Sequence, residues 1–312
     1  MERLSENKLI VVTRKTRLDE LVTRFNTVAQ AKFYIEHLGA DFSDYQREHE
    51  TYYQTLQLAL AKLSGIGRVQ TLDRTLLPNF IFGANDVVIA IGQDGLVANT
   101  LKYLSNQVLI GVNPDPARWD GVLLPFVVWQ LQSVVTEVFK GKRPIKEVTL
   151  AQVELNDGQR LMAVNDFFIG QKTHTSSRYT LHIGREQERQ SSSGIIISTG
   201  LGSTGWLKSI IAGASQLIFQ MGETKPVDSS AGNMPWNADY LLFSVREPFP
   251  SRNSSSNLVF GQVTKDKPLR ILSEMAENGV IFSDGIESDY LAFNSGIQAT
   301  IYPADHKGRL VV

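Results

Sequence analysis

Residues 87–101 read VVIAIGQDGLVANTL, and the fold turns on how this stretch is parsed. Val87 to Ile91 is an unbroken apolar run, the pattern of a strand buried on both faces. Gly92-Gln-Asp-Gly95 ends it, and Leu96, Leu101 and Leu104 follow on one helical face. A buried strand that enters a helix through two glycines and a carboxylate points to a parallel α/β sheet.

The same alternation extends to both sides. Lys8–Thr13 reads as a buried strand, and 18–37 and 45–63 carry apolar residues at helical spacing. A short strand near Arg68–Leu72, a strand at Val108–Val112 and a helix from about Val127 to Phe139 complete the set. The expectation is an α/β N-terminal domain over 1–143, a parallel sheet flanked by helices. Its ligand crevice should lie beyond the carboxyl ends of the strands, where Gly92–Gly95 and Arg14-Lys15 fall. After Gly141-Lys-Arg-Pro144 short alternating segments take over, at 145–155, 159–170, 178–184, 194–199, 240–246, 257–263, 268–273, 279–283 and 297–302. One helix, roughly Thr204 to Met221, interrupts them. This predicts an all-β, sandwich-like C-terminal domain over 144–312, its tail placed to pack back on the first domain. The aperiodic stretch 222–238 reads as a long surface loop.

Composition narrows the chemistry. The chain has 312 residues, with 31 basic against 32 acidic side chains. That balance speaks against nucleic-acid or membrane-surface binding, which need clustered positive charge. There is no cysteine, which excludes disulfides, thiolate nucleophiles and Cys-based zinc sites. No apolar run approaches the ~20 residues that span a bilayer. The first strand begins within ten residues of Met1, which leaves no room for a signal peptide, so a soluble, cytoplasmic protein is expected. His37, His49, His174, His182 and His306 lack metal-ligand spacing, so no protein metal ligands are assigned. No Gly-x-Ser-x-Gly elbow supports a serine hydrolase.

Three stretches could carry chemistry. At Gly92–Gly95 the glycines allow a phosphate to approach the backbone at a helix N-terminus. Asp94 fits there as a base for, or an orienter of, an attacking hydroxyl, or else as an ordinary N-cap. Gly194–Trp206 runs from a buried strand through Ser198, Thr199, Ser203 and Thr204 into a helix. Its hydroxyls and N–H groups could converge on ribose and phosphate oxygens, or simply cap the helix. Asn165 and Asp166 are adjacent in a strand-like run, where neighbours face opposite sides unless a bulge or turn intervenes. Arg14, Lys15 and Arg17 read as a phosphate-steering cluster or as a solvated basic loop.

In this order the Gly-Gln-Asp-Gly turn, Asn165-Asp166 and Ser198-Thr-Gly-Leu-Gly-Ser-Thr-Gly-Trp206 resemble the three signature motifs of the NAD kinase family, usually GGDG, NE/ND and a GSTAY-like turn. Gly111-Val-Asn-Pro-Asp-Pro116, Phe168-Ile-Gly170, Ser176-Ser-Arg178, Ser192-Ser-Gly194, Leu242-Phe-Ser-Val-Arg-Glu-Pro248 and Ser254-Ser-Ser256 resemble the divergent branch typified by the animal mitochondrial enzyme. The resemblance spans about residues 8–305. It implies binding of ATP with Mg2+ and of NAD, and transfer of the γ-phosphoryl group to the 2′-hydroxyl of the adenosine ribose to give NADP. It further implies a homo-oligomer, a dimer favoured. Asp94 would act on that hydroxyl, and Gly92, Gln93 and Gly95 would line the phosphates. Asn165 and Asp166 would hold NAD's ribose and amide groups. Thr199, Ser203, Thr204, Gly205 and Trp206 would contact the dinucleotide.

The chain departs from the usual pattern at three places. Gln93 replaces a glycine, so either the turn is strained or it needs no positive φ and the amide is free to meet a phosphate. Ser193 replaces an aspartate, and Trp206 a tyrosine, keeping a stacking surface without the hydroxyl. The alternatives are a nucleotide-binding or sensing protein of the same fold, and a kinase for a sugar or lipid hydroxyl.

Overall fold

The computed structural model describes residues 7–222 and 232–312. The chain forms two compact units, Met1–Lys146 with Arg309–Val312, and Glu147–Gly308.

In the first unit the elements run β1 (Lys8–Thr13), α1 (Arg17–Phe25), α2 (Val28–His37), α3 (Phe42–Ser64), β2 (Arg68–Asp73), β3 (Val87–Ile91), α4 (Asp94–Leu101), β4 (Val108–Val112) and α5 (Leu131–Phe139). The strands pair in parallel in the order β2-β1-β3-β4. Arg309 and Leu310 add in parallel to β4 opposite Val108 and Leu109. Leu9, Val11, Val87, Ile89, Ile110 and Val112 pack against Tyr52, Ala59 and Leu63 of α3 and Leu131 and Val134 of α5. All five residues of β3 are buried, as a strand covered on both faces requires. The order changes direction between β1 and β3, so the turns after these two strands flank the crevice where such sheets take ligands.

The expected helix over 18–37 is two helices. Asn26 takes a left-handed φ of 67° and Thr27 caps α2 through Gln30 N–H, a stop followed by a start. The helix expected from Val127 begins at Leu131.

The second unit holds β5 (Ile145–Leu155), β6 (Arg160–Ala163), β7 (Asp166–Gln171), β8 (Ser177–Ile183), β9 (Glu186–Ser192), β10 (Ile195–Ser198), α6 (Trp206–Gln220), β11 (Leu241–Val245), β12 (Phe260–Val263), β13 (Leu269–Ser273), β14 (Gly279–Ser283), β15 (Ile286–Ala292) and β16 (Gln298–Val311). β5 begins and β16 ends in the first unit. One sheet contains β16-β13-β8-β9, with β5 pairing β16 and β6, and the other runs β12-β11-β10-β7-β14-β15. Phe167, Ile169, Ile195, Ile197 and Phe243 of the second sheet meet Tyr179, Leu181, Ile271 and Ile301 of the first in one core, the stacked arrangement expected. β9 and β15 were not foreseen; their charged runs, Glu186-Gln-Glu-Arg189 and Glu287-Ser-Asp289, mask the alternation.

Of the loop expected at 222–238, residues 223–231 lie outside the described residues. The remainder is not a free surface loop. Met234 and Ala238 are buried, and Trp236 O accepts from Thr149 N–H at 2.8 Å.

Candidate functional site

Asp94 is the first residue of α4, and its carboxylate reaches back to a loop. Oδ1 accepts from Leu123 N–H at 2.8 Å and Oδ2 from Val122 N–H at 3.3 Å. That loop is set by Gly111, where a side chain would lie 2.0 Å from Leu123 O, and by Asn113, which donates to Trp119 O at 2.9 Å. The Gly111–Pro116 stretch therefore builds the wall that orients Asp94. Gln93 is extended, φ −118° and ψ 164°, and makes no capping bond through its side chain. The turn needs no positive φ, which resolves one of the two readings of that residue. Gly92 is closely packed instead: a Cβ there would sit 2.9 Å from Leu96 Cδ2 and 3.5 Å from Arg14 Nε, so the Leu96 side chain would have to shift. Gly95 is exposed with nothing within 4 Å of a Cβ, so its surface stands open.

Arg14 corrects the reading of a solvated loop. It is 8% exposed and gives Nη2 to Glu48 at 2.9 Å, while its own N–H donates to Tyr52 OH at 2.9 Å. Its Nε is buried with no hydrogen-bond partner among the described residues. Glu48 also takes Arg17 Nε, and Arg17 and Arg118 share Asp44. Hydrogen bonds from Arg118 and Arg17 hold the Asp44 carboxyl well below the usual carboxylate range. Burial opposes the charge on Glu48, yet the bonds from Arg17 and Arg14 hold its carboxyl low as well. Arg14, Arg17 and Arg118 are thus tied to two acids, Glu48 and Asp44, and Arg118 also to Asp115 at 3.4 Å, a charge-paired network at the carboxyl ends of β1 and β4. Arg118 and the two acids escaped sequence reading because 27 to 74 residues separate the partners.

In the second unit three turns are tied into one knot. The strand breaks at Val164-Asn165, between β6 and β7, so of the readings weighed for this pair the turn holds. Asn165 is half-buried and Asp166 is buried. Thr199 N–H donates to Asn165 O at 2.9 Å, and Thr199 Oγ1 donates to Val164 O at 2.5 Å while accepting from Gly202 N–H at 3.2 Å. A side chain on Gly202 would lie 2.0 Å from Asn165 O, and one on Gly200 1.9 Å from Pro235 O. Asp284, in the β14–β15 turn, accepts from the N–H groups of Val164, Asn165 and Asp166. Burial first, and the Asp284 charge second, push the Asp166 carboxyl up to about 7. Asp284 was missed because its Ser-Asp-Gly turn reads as an ordinary hairpin end.

The hydroxyls do not converge as expected. Ser198, Thr199 and Ser203 are fully buried. Ser198 donates to Thr199 O, and Ser203 donates to Gly200 O at 2.8 Å while accepting from Met234 N–H at 3.1 Å. These groups close the turn on itself, because a buried hydroxyl must find a partner. Thr204 and Gly205 are exposed and open α6. Trp206 stacks on Phe168 at 6.0 Å and 4°, with Arg246 over its face at 5.4 Å. These three, with Ser193, Lys172 and Tyr290, line a cavity of about 570 Å³. A flat aromatic floor under cationic side chains suits a planar, negatively charged ligand.

No family model matches the chain. It is 24% identical over 226 residues to a probable NADH kinase from Oryza sativa subsp. japonica, covering 64% of this chain and 63% of the relative. To an NAD kinase from Psychrobacter arcticus it is 26% identical over 161 residues, 49% of this chain and 47% of the relative. The chain thus spans less than two thirds of the length of the curated relatives it matches. Among solved structures it superposes on an NAD kinase from Archaeoglobus fulgidus in complex with ATP, with a TM-score of 0.57, 15% identity and 98% and 93% of the two chains covered. Yeast NADH kinase complexed with NADH gives the same TM-score and identity, with 99% and 84% covered. The fold is that of the NAD kinases, and the sequence relatives it matches are a probable NADH kinase and an NAD kinase.

Proposed function

We propose that the protein is an NAD kinase that transfers the ATP γ-phosphoryl group to the adenosine-ribose 2′-hydroxyl of NAD. The observation that carries the reading is Asp94, a carboxylate fixed by two backbone N–H groups between buried Gly92 and open Gly95. In this reading Asp94 takes the proton of the 2′-hydroxyl as its oxygen bonds to the γ-phosphorus and the bond to the ADP oxygen breaks. Gly92, Gln93 and Gly95 line the phosphates, Gln93 and Gly95 with amide and backbone donors and Gly92, whose N–H donates to Val112 O, by its small size, with the Arg14–Arg17–Arg118 network beside them. Asn165 and Asp166 hold ribose and amide groups of NAD. Thr204, Gly205 and Trp206 offer an exposed face to the dinucleotide, while Thr199 and Ser203 act by shaping the turn.

Magnesium enters as the ATP complex, where it neutralises charge on the transferred phosphoryl group. Among the described residues no group of three or more His, Cys, Asp or Glu side chains could hold a metal ion. A homodimer, a cytoplasmic location and a place in the divergent branch typified by the animal mitochondrial enzyme belong to the same proposal. Light scattering and cell fractionation test the first two. No helix among the described residues is long and apolar enough to cross a membrane.

The test is a coupled assay for NADP with ATP, Mg2+ and NAD, repeated with NADH because NADH kinases stand among the relatives. NADP or NADPH formation supports the reading. Tight nucleotide binding without either product favours the sensing protein, and phosphorylation of a sugar or lipid instead favours another acceptor.

A further inference from the structure

Asp284 stands at φ 56°, in the left-handed region that aspartate tolerates better than most residues. Its Oδ1 accepts from Asn165 N–H at 2.6 Å and Asp166 N–H at 3.3 Å, and both its oxygens lie 3.1 Å from Val164 N. Its own N–H donates to Asp166 O at 2.9 Å. Three successive N–H groups aimed at one point form a concave anion nest. Here the anion is a side chain from another strand pair. No residue of the 164–166 turn can rotate its N–H away without leaving that carboxylate.

We propose that Asp284 is a positioning residue of the acceptor site: it pins the 164–166 turn that carries half-buried Asn165 and buried Asp166, and the carboxylate pair makes dinucleotide binding proton-linked. The proposal rests on the reading of Asn165 and Asp166 as acceptor-holding residues. Among the described residues the strands paired beside Asp166 bring no other charge: β10 and its turn are Ile195–Ile197 and Ser198–Thr204, and β14 is Gly279–Ser283. Asp284 is therefore the charged group that acts on it, in line with the raised Asp166 carboxyl. A dinucleotide adds pyrophosphate charge and removes the remaining water, and both favour neutral Asp166. Binding therefore takes up a proton, and affinity falls as pH rises through about 7.

The experiment measures NAD affinity calorimetrically from pH 6 to 8.5 for the full chain, Asp166→Asn and Asp284→Asn, with the Asp166 carboxyl titrated by carbon NMR without ligand. The wild-type Kd should rise several-fold with a midpoint near 7, and Asp166→Asn should be flat. Asp284→Asn should bind about tenfold or more weakly at pH 6, with the Asp166 midpoint moved down. If Asp284→Asn fails to fold, Asp284→Glu keeps the charge but displaces the nest, and should weaken binding with the midpoint retained. A flat wild-type profile, or either Asp284 variant with wild-type Kd and midpoint, overturns the proposal. A midpoint that moves in Asp284→Asn while the wild type ignores NAD upholds the carboxylate pair and overturns the NAD reading instead.

Discussion

The turn at Gly92–Gly95 and the turn at Ser198–Trp206 are built alike, a buried strand passing through glycines into a helix, yet they use their polar groups in opposite ways. In the first, Gln93 and Gly95 are left facing outward and Asp94 is braced from outside by Val122 and Leu123. In the second, three of four hydroxyls are buried and bonded within the knot. The first turn presents chemistry; the second presents shape. A motif rich in serine and threonine is therefore no measure of how many hydroxyls a ligand meets, since buried hydroxyls must first satisfy themselves.

The largest expected effect tests the chemical turn. Asp94→Asn should lower turnover by on the order of 10²–10⁴ while NAD still binds, since it removes the basic oxygen at constant size. The amide must also turn an N–H toward Val122 or Leu123 N–H, so a loss of about 1–3 kcal/mol in stability should accompany it. Near-normal turnover would break the contrast at its first term.

Next comes the shaped turn. Gly202→Ala puts a methyl group 2.0 Å from Asn165 O, so it should destabilise the second unit by roughly 3 kcal/mol or more and abolish NAD binding. Gly95→Ala meets nothing within 4 Å and should leave the melting temperature within a degree or two. Equal melting temperatures for the two variants would erase the distinction between them.

The buried carboxyl gives a pH signature. The Asp166 carboxyl ordinarily titrates at 3.8 and is raised to about 7 in the fold. Below about pH 4 both folded and unfolded chains carry its proton. Between about 4 and 7 the folded chain keeps a proton that the unfolded chain has lost, so its contribution falls as pH rises and is gone above 7. Asp166→Asn should therefore gain roughly 2–4 kcal/mol over the wild type at pH 8 relative to pH 4. Thermal melts at both pH values measure it; a constant difference between the two proteins would contradict the shift.

Gln93→Gly is the smallest. With φ at −118° there is no strain to relieve, so stability should change by less than about 1 kcal/mol and the Michaelis constant for ATP should rise several-fold. A glycine variant with faster turnover and unchanged ATP affinity would mark the glutamine as a brake on the turn.

Much of this was legible in the sequence. The period-two and unbroken apolar runs located β3, β4 and β10, because burial on one or both faces writes itself into residue type, while the one segment read over 159–170 is β6 and β7. Asp94 stood out because it alone pairs an acid with a strand-end glycine turn in the α/β domain. What escaped was set by distant contacts. Arg14 looked like a loop residue until Glu48 and Tyr52, 34 and 38 residues away, enclosed it. Asp284 is 118 to 120 residues from the amides it holds. The single helix read over 18–37 failed for a local reason, since Asn26-Thr27 supplied a stop and a cap inside an unbroken apolar period.

The measurement that tests the central claim most directly follows phosphoryl transfer by phosphorus NMR, with ATP, Mg2+ and NAD, in the wild type and Asp94→Asn side by side. The wild type should yield ADP and a new 2′-phosphomonoester resonance in equal amounts, and the variant should yield both more slowly by on the order of 10²–10⁴. A wild-type protein that forms no 2′-phosphate on NAD or NADH, or a variant that forms it as fast, would contradict the account.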